Sequence, residues 1–259
     1  MRPRPYQIIL PFLTGAVLIS LWYGGLAVGW LNPFTLPPPH RILQAMWEKR
    51  AEMLDASLTT FFAALLGFSA AITGGFIIAM LLSSNKWIKA SLHPYVLMIQ
   101  MTPIIVLIPI IGLLIKDPLL QIVLITFLIS FFPVAANTIL GFTSTDNNLI
   151  DLFRVYNANT FQEIVLLRIP FAIPYFLTGV KIAGTLAPIG AITGDFLLGT
   201  SRNPGLGYRL VTYYNQGENP ALFAIAILAA TMGFIFVFLV NRAAHHFLKN
   251  WHESIPEKK

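Results

Sequence analysis

The sequence has no cysteine, so disulfides, thiolate zinc sites and thiol catalysis are all excluded. Charge is scarce as well: Asp, Glu, Lys and Arg make up 11% of the 259 residues, against 56% hydrophobic. A soluble domain cannot cover that much apolar surface with so few ions. The histidines, His40, His93, His245, His246 and His252, show no metal-ligand spacing. There is no G-x-x-x-x-G-K-[ST] loop to cradle a nucleotide and no nucleophile-plus-base constellation. Internal repeats of the kind that build duplicated secondary transporters are also missing. The chain is therefore read as non-enzymatic, with no metal and no cofactor of its own; energy for active transport would come from a partner or an ion gradient. The net charge of +6 does not indicate nucleic acid, because the basic residues sit in short flanks of apolar runs and form no groove-like cluster.

What the sequence does have is long apolar runs. Mean hydropathy is +0.71, and several runs exceed the roughly 18 residues at which a membrane span becomes the default. A barrel would show short alternating segments instead. The expected fold is all-α: a polytopic membrane bundle of six transmembrane helices at 8–30, 57–82, 92–115, 119–141, 171–198 and 221–248, forming a single domain over 1–259. Arg2 and Arg4 precede a first run too long for a cleaved signal, so it is expected to be a retained span.

Lysine and arginine placement sets the orientation. With the N-terminus inside, Arg2, Arg4, Lys86, Lys89, Arg154, Arg168, Arg242, Lys249, Lys258 and Lys259 lie on the inner side, and Arg41, Lys49, Arg50, Lys116, Arg202 and Arg209 on the outer. This predicts cytoplasmic termini and a cytoplasmic 149–169. On the outer side, 37–55 reads as a proline run followed by a mixed-charge interfacial helix containing Trp47, and the Gly-, Asn- and Tyr-rich 199–220 as a connector rather than an ordered gate. Pro94, Pro103, Pro109, Pro133, Pro174 and Pro188 punctuate the spans, and each leaves a carbonyl for neighbours or water to satisfy. Gly67, Gly74, Gly75 and Ala79 give the second span a small-residue face for close packing.

One stretch, 149–174, is polar and turn-containing. Leu149, Leu152, Phe153 and Tyr156 recur at helical spacing with Asp151 and Arg154 on other faces, which predicts a short amphipathic helix. It should stop at Asn157, the residue after glycine that best tolerates the left-handed conformation, with Asn159 as a second local break. A new helix is expected from Thr160, capped reciprocally with Glu163, and Pro170 is expected to end it at Ile169. Such a bent pair suits a groove on a soluble partner or a place on lipid headgroups. Lys181 and Asp195 stand out as ionisable residues inside the proposed spans; with Pro103 and Pro188 they are the candidate translocation-pathway residues, interface anchoring being the other reading of the two charges.

Taken in order, Gly67-Phe68, Gly75, Pro94, TPIIVLIP at 102–109, FFPVAANT at 131–138, Gly141, PFAIPYFLTGVKIA at 170–183, IGAITGDFL at 189–197 and GLGY at 205–208 resemble the permease subunit of bacterial ABC importers. The resemblance is to the nitrate/sulfonate/taurine family, including its permeases for thiamine-precursor pyrimidines and riboflavin, and it covers about two thirds of the chain. It implies a type I importer fold in the bacterial inner membrane. That family has a cytoplasmic motif of the form E-A-A, three residues, Gly, with a later Pro. The matching positions are Asp151, Leu152, Phe153, Asn157 and Pro170, while Arg154 and Ala158 agree with common family choices. The resemblance thus implies an ATPase-coupling segment over about 146–169, with ATP hydrolysed by a separate subunit. It also implies an extracytoplasmic substrate-binding protein and a second permease, either an identical copy, giving the homodimer expected here, or a paralogue. The rival expectation is an ion-coupled transporter or channel relying on Lys181 and Asp195.

Overall fold

Small residues decide which helices meet. The computed structural model describes residues 5–248, and among these the long elements are α1 (Pro5–Ala27), α3 (Arg50–Ser84), α6 (Pro118–Thr143), α9 (Ile169–Leu198) and α11 (Asn219–Leu248). Five helices are long and apolar enough to cross a membrane, and six if one bent pair is a single span. The shorter elements are α2 (Pro39–Glu48), α4 (Lys86–Met101), α5 (Ile104–Leu114), α7 (Asn147–Val155), α8 (Thr160–Glu163) and α10 (Leu206–Gln216), with a π-helical turn at Ile164–Arg168. Arg2, Arg4, Lys249, Lys258, Lys259 and His252, used above for orientation or metal spacing, lie outside the described residues.

α6 packs most extensively against α9 and α3, and these three with α11 form the core of the bundle. A Cβ on Gly67 would lie 2.5 Å from Thr126 Cβ, one on Gly75 2.8 Å from Val134 Cβ, and one on Gly190 3.0 Å from Thr126 Cα. Ala63, Ala64, Ala71, Ala79, Ala183, Ala187 and Ala191 are buried between the same helices. Backbones therefore approach closely enough for dispersion to hold the helices together where lipid supplies no hydrophobic drive. Gly179 is the sharpest case: its Cβ would stand 2.7 Å from the Pro133 carbonyl oxygen and 3.0 Å from Val134 Cα, neither of which can swing away. Gly179→Ala is expected to cost roughly 1–3 kcal/mol, read as a lower melting temperature of the detergent-purified protein.

The expected span at 92–115 is instead two helices. α4 and α5 meet at a bend of 99°. Thr102 is extended (φ −74, ψ 121) and Pro103 follows at φ −58, ψ 123 as the residue preceding α5. Proline forces its predecessor out of helical geometry, and the Thr102 hydroxyl donates to Met98 O, satisfying one end carbonyl. The bend lets α5 lay Ile108 and Ile111 against Ile125 of α6. The first span has the expected length but lies three residues earlier, ending at Ala27, and the second is longer, beginning at Arg50 inside the segment read as interfacial. That segment divides into α2, which tucks Ile42 and Ala45 against α11 and leaves Trp47 exposed, and the first turn of α3.

Candidate functional site: the two ends of the bundle

α7 and α8 project from the end of the bundle where α6 stops and α9 begins. α7 starts at Asp146, whose carboxylate accepts from Asn148 N–H at 2.9 Å. It closes at Asn157, which takes φ +56. Asn157 N–H donates to Arg154 O and Ala158 N–H to Phe153 O, the paired bonds of a Schellman motif with asparagine in the left-handed position that glycine usually fills. The predicted stop at Asn157 is thus present in full.

The next start differs from expectation by one residue. Asn159, not Thr160, caps α8: its side chain accepts from Gln162 N–H at 2.8 Å while Gln162 Oε1 accepts from Asn159 N–H at 2.9 Å. Glu163 is left free of capping and holds Arg168 instead, through both Nε and Nη2. A five-residue spacing brings those two side chains together because the intervening turn is π-helical, with Ile169 N–H reaching back to Ile164 O. Nor does Pro170 end a helix. It sits in the first turn of α9, directly after the π turn, where its missing N–H is tolerated, and the chain runs as one continuous helical rod from Thr160 to Leu198.

The outer surface of this knob is apolar without being covered. Ile150 is buried, but Leu152 is 48% exposed, Val155 77%, Tyr156 78%, Phe161 72% and Leu166 63%. Leu152, Phe153, Tyr156, Ala158, Gln162 and Leu166 line a groove of about 290 Å³. The exposed Asp151–Arg154 pair at 3.2 Å flanks it. All six positions matched to the coupling motif within the knob, Asp151, Leu152, Phe153, Arg154, Asn157 and Ala158, therefore share this one protrusion, and Pro170 stands at its root.

The opposite end is more ordered than expected. Residues 199–220, read as a connector, contain α10, which is anchored inside the bundle. Asp195, fully buried, accepts from Gly205 N–H at 3.3 Å and Tyr208 N–H at 2.8 Å. Thr60 of α3 accepts from Leu206 N–H at 2.8 Å. These three amides are the donors that a helix start leaves without intrahelical partners, and a carboxylate there also meets the positive end of the helix dipole. The seat is too tight for side chains: a Cβ on Gly207 would stand 2.4 Å from Ile192 O, and one on Gly205 2.5 Å from Asp195 Oδ2. The GLGY signature is thus a docking surface for α10 on α9. Around it, Tyr213 donates to Glu52 at 3.2 Å, Arg209 pairs with Glu52 at 3.0 Å, and Lys49 pairs with Glu218 and lies 4.8 Å over the Tyr213 ring. Burial, then the Glu52 carboxylate, push the Tyr213 phenol up to about 12, so it stays a donor at any physiological pH. Composition alone could not show this network, but Asp195 ten residues before a G-x-G start was a legible signal for it.

The four candidate pathway residues do not converge. Pro103 is at the α4–α5 bend, Pro188 is buried in α9 near Gly233 of α11, and Asp195 is occupied by α10. Lys181 is half-buried in mid-α9 and has no hydrogen bond or ion pair among the described residues.

A family model described as "Binding-protein-dependent transport system inner membrane component" matches residues 71–251. The formylaminopyrimidine transport permease protein ThiX of Halalkalibacterium halodurans is 29% identical, over 97% of this chain and 99% of that protein. The riboflavin transport system permease protein RibX of Chloroflexus aurantiacus is 26% identical over 93% and 90%. The taurine transport system permease protein TauC of Escherichia coli is 24% identical over 98% and 93%.

Proposed function

Because the chain belongs to the family of binding-protein-dependent transport system inner membrane components, as a multi-pass, non-enzymatic permease subunit of an ABC importer for small solutes, we propose that residues 146–169 seat in a groove of a cytoplasmic ATPase subunit and transmit its movement to α9. The observation that carries this reading is the uncovered apolar knob described above. Burying Leu152, Val155, Tyr156 and Phe161 on a partner would remove a surface that water penalises. The helix is continuous from Thr160 to Leu198 and so joins the knob directly to the membrane core, a route by which a displacement at one end would reach the other.

On this reading the α7–α8 end is cytoplasmic, and so are both termini. Among the described residues that end carries Lys86, Lys89, Arg154, Arg168 and Arg242; the inner-side excess expected from the sequence rests on Arg2, Arg4, Lys249, Lys258 and Lys259, which lie outside the described residues. The α2–α10 end then faces a substrate-binding protein. Residues 1–259 act as one permease domain, and two identical copies line the path. The relatives' names offer two solute classes, a thiamine-precursor pyrimidine or related heterocycle, as for formylaminopyrimidine and riboflavin, and a sulfonate, nitrate or taurine-like anion. ATP is bound and hydrolysed by the partner.

A cysteine placed at Phe153 or Asn157 should crosslink to the cognate ATPase in the assembled complex, since the chain has no thiol of its own to confuse the product. Assembly without any such crosslink would remove the coupling assignment.

A further inference from the structure

α9 has two unlike faces. Gly179, Val180, Ala183, Gly184, Ala187 and Ala191 are buried against the other core helices. On another side, at helical spacings of three and four, stand Thr178, Lys181 and Thr185, the two threonines exposed and the lysine half-buried. Each threonine hydroxyl donates to its own helix, Thr178 to Pro174 O and Thr185 to Ile182 O, so their oxygens can accept from water or from an ammonium and cannot themselves donate to an anion. Lys181 therefore supplies the strip's one free cation.

Depth makes that cation costly unless water reaches it. Ser130 near the middle of α6 donates to Ala183 O at 3.4 Å, which puts Lys181, two residues away, within about 3 Å of the α6 midpoint along the axis. A hydrocarbon core of about 30 Å leaves roughly 15 Å to either interface. Five side-chain bonds of about 1.5 Å each cannot span that. An ammonium at such depth must be paired or watered, and no acid among the described residues pairs with it. The other intramembrane charge, Asp195, lies fourteen positions along the same helix, about 21 Å away, and is held by the amides of α10.

Resting on the permease reading above, we propose that Lys181, flanked by the polar positions Thr178 and Thr185, is an anion-recognition point on the translocation path, favouring solutes that carry a carboxylate, sulfonate or phosphate group. The lysine alone supplies attraction, while the threonine oxygens accept from the water that hydrates it; a weak, open site of this kind holds a solute without trapping it.

The test uses the permease assembled with its ATPase in liposomes, with Thr178→Cys or Thr185→Cys as the sole thiol. Reaction rates are compared for an anionic methanethiosulfonate (sulfonatoethyl) and a cationic one (trimethylammonioethyl). The anion-to-cation rate ratio is expected to fall about tenfold when Lys181→Gln is added, the size of one charge acting over a helical turn in a partly watered site, and to be kept by Lys181→Arg. Thiols unreactive to both reagents with and without ATP would place the strip against lipid and overturn the proposal; so would a ratio that Lys181→Gln leaves unchanged. ATPase capture, measured on the same preparations, separates this outcome from failure of the permease reading: its loss in the unsubstituted chain would count against coupling, not against the strip.

Discussion

Asp195→Ala strands two buried backbone donors at the start of α10 and is expected to cost roughly 2–5 kcal/mol of stability, one desolvation penalty for each unpaired amide. Alanine also removes the charge facing the helix dipole and leaves a cavity against Gly205, whose Cβ position is already crowded by the carboxylate. Asp195→Asn keeps one acceptor oxygen and should lose much less. The detergent-purified protein would show both effects as lowered melting temperatures, in that order. An ion-coupled transporter makes the opposite prediction, because a carboxylate that carries a coupling ion is dispensable for folding and indispensable for uptake. Here, uptake per folded molecule should stay ATP-driven in both variants. A normal melting temperature for Asp195→Ala, with uptake lost, would return Asp195 to the pathway.

How far the sequence allowed this to be read depends on the range of the interaction involved. Spans legible from continuous hydropathy, such as 119–141 and 171–198, match α6 and α9 to within two residues, because burial in lipid is a property of each residue summed along the run. The family, the helical class and the stop at Asn157 were legible for the same local reason. The break at Thr102–Pro103 was not. Pro94, Pro109, Pro133, Pro174 and Pro188 all lie inside helices, so proline alone does not say where a span bends. The choice is tertiary: α5 turns where doing so buries Ile108 and Ile111 on α6.

α10 was missed for a related reason. Its glycines and asparagines read as a connector, and its order comes from Asp195 and from Thr60, which is 146 residues from its partner amide. At the knob the error was smaller. Asn159 and Thr160 are both good caps, as are Gln162 and Glu163 as reciprocal partners, and local rules cannot rank them. Arg168 decides by drawing Glu163 away, over a spacing that only the π turn closes.

That same knob gives the second large expectation. Asn157 holds φ +56, a region in which a β-branched residue is strained, and the two bonds that close α7 depend on it. Asn157→Val should unwind the turn between α7 and α8, scatter the groove formed by Leu152, Phe153, Tyr156 and Leu166, and lower ATP-dependent uptake at least about tenfold, as loss of roughly 1.4 kcal/mol or more of docking energy would. Asn157→Gly should keep the left-handed turn and with it most of the uptake. Because the knob lies outside the α3–α6–α9–α11 core, the melting temperature of the valine variant should stay near that of the parent, while recovery of the ATPase with the purified permease falls. If the valine variant retains its ATPase and its uptake, force does not pass through this turn, and the continuous rod from Thr160 to Leu198 is only a way for the chain to re-enter the membrane.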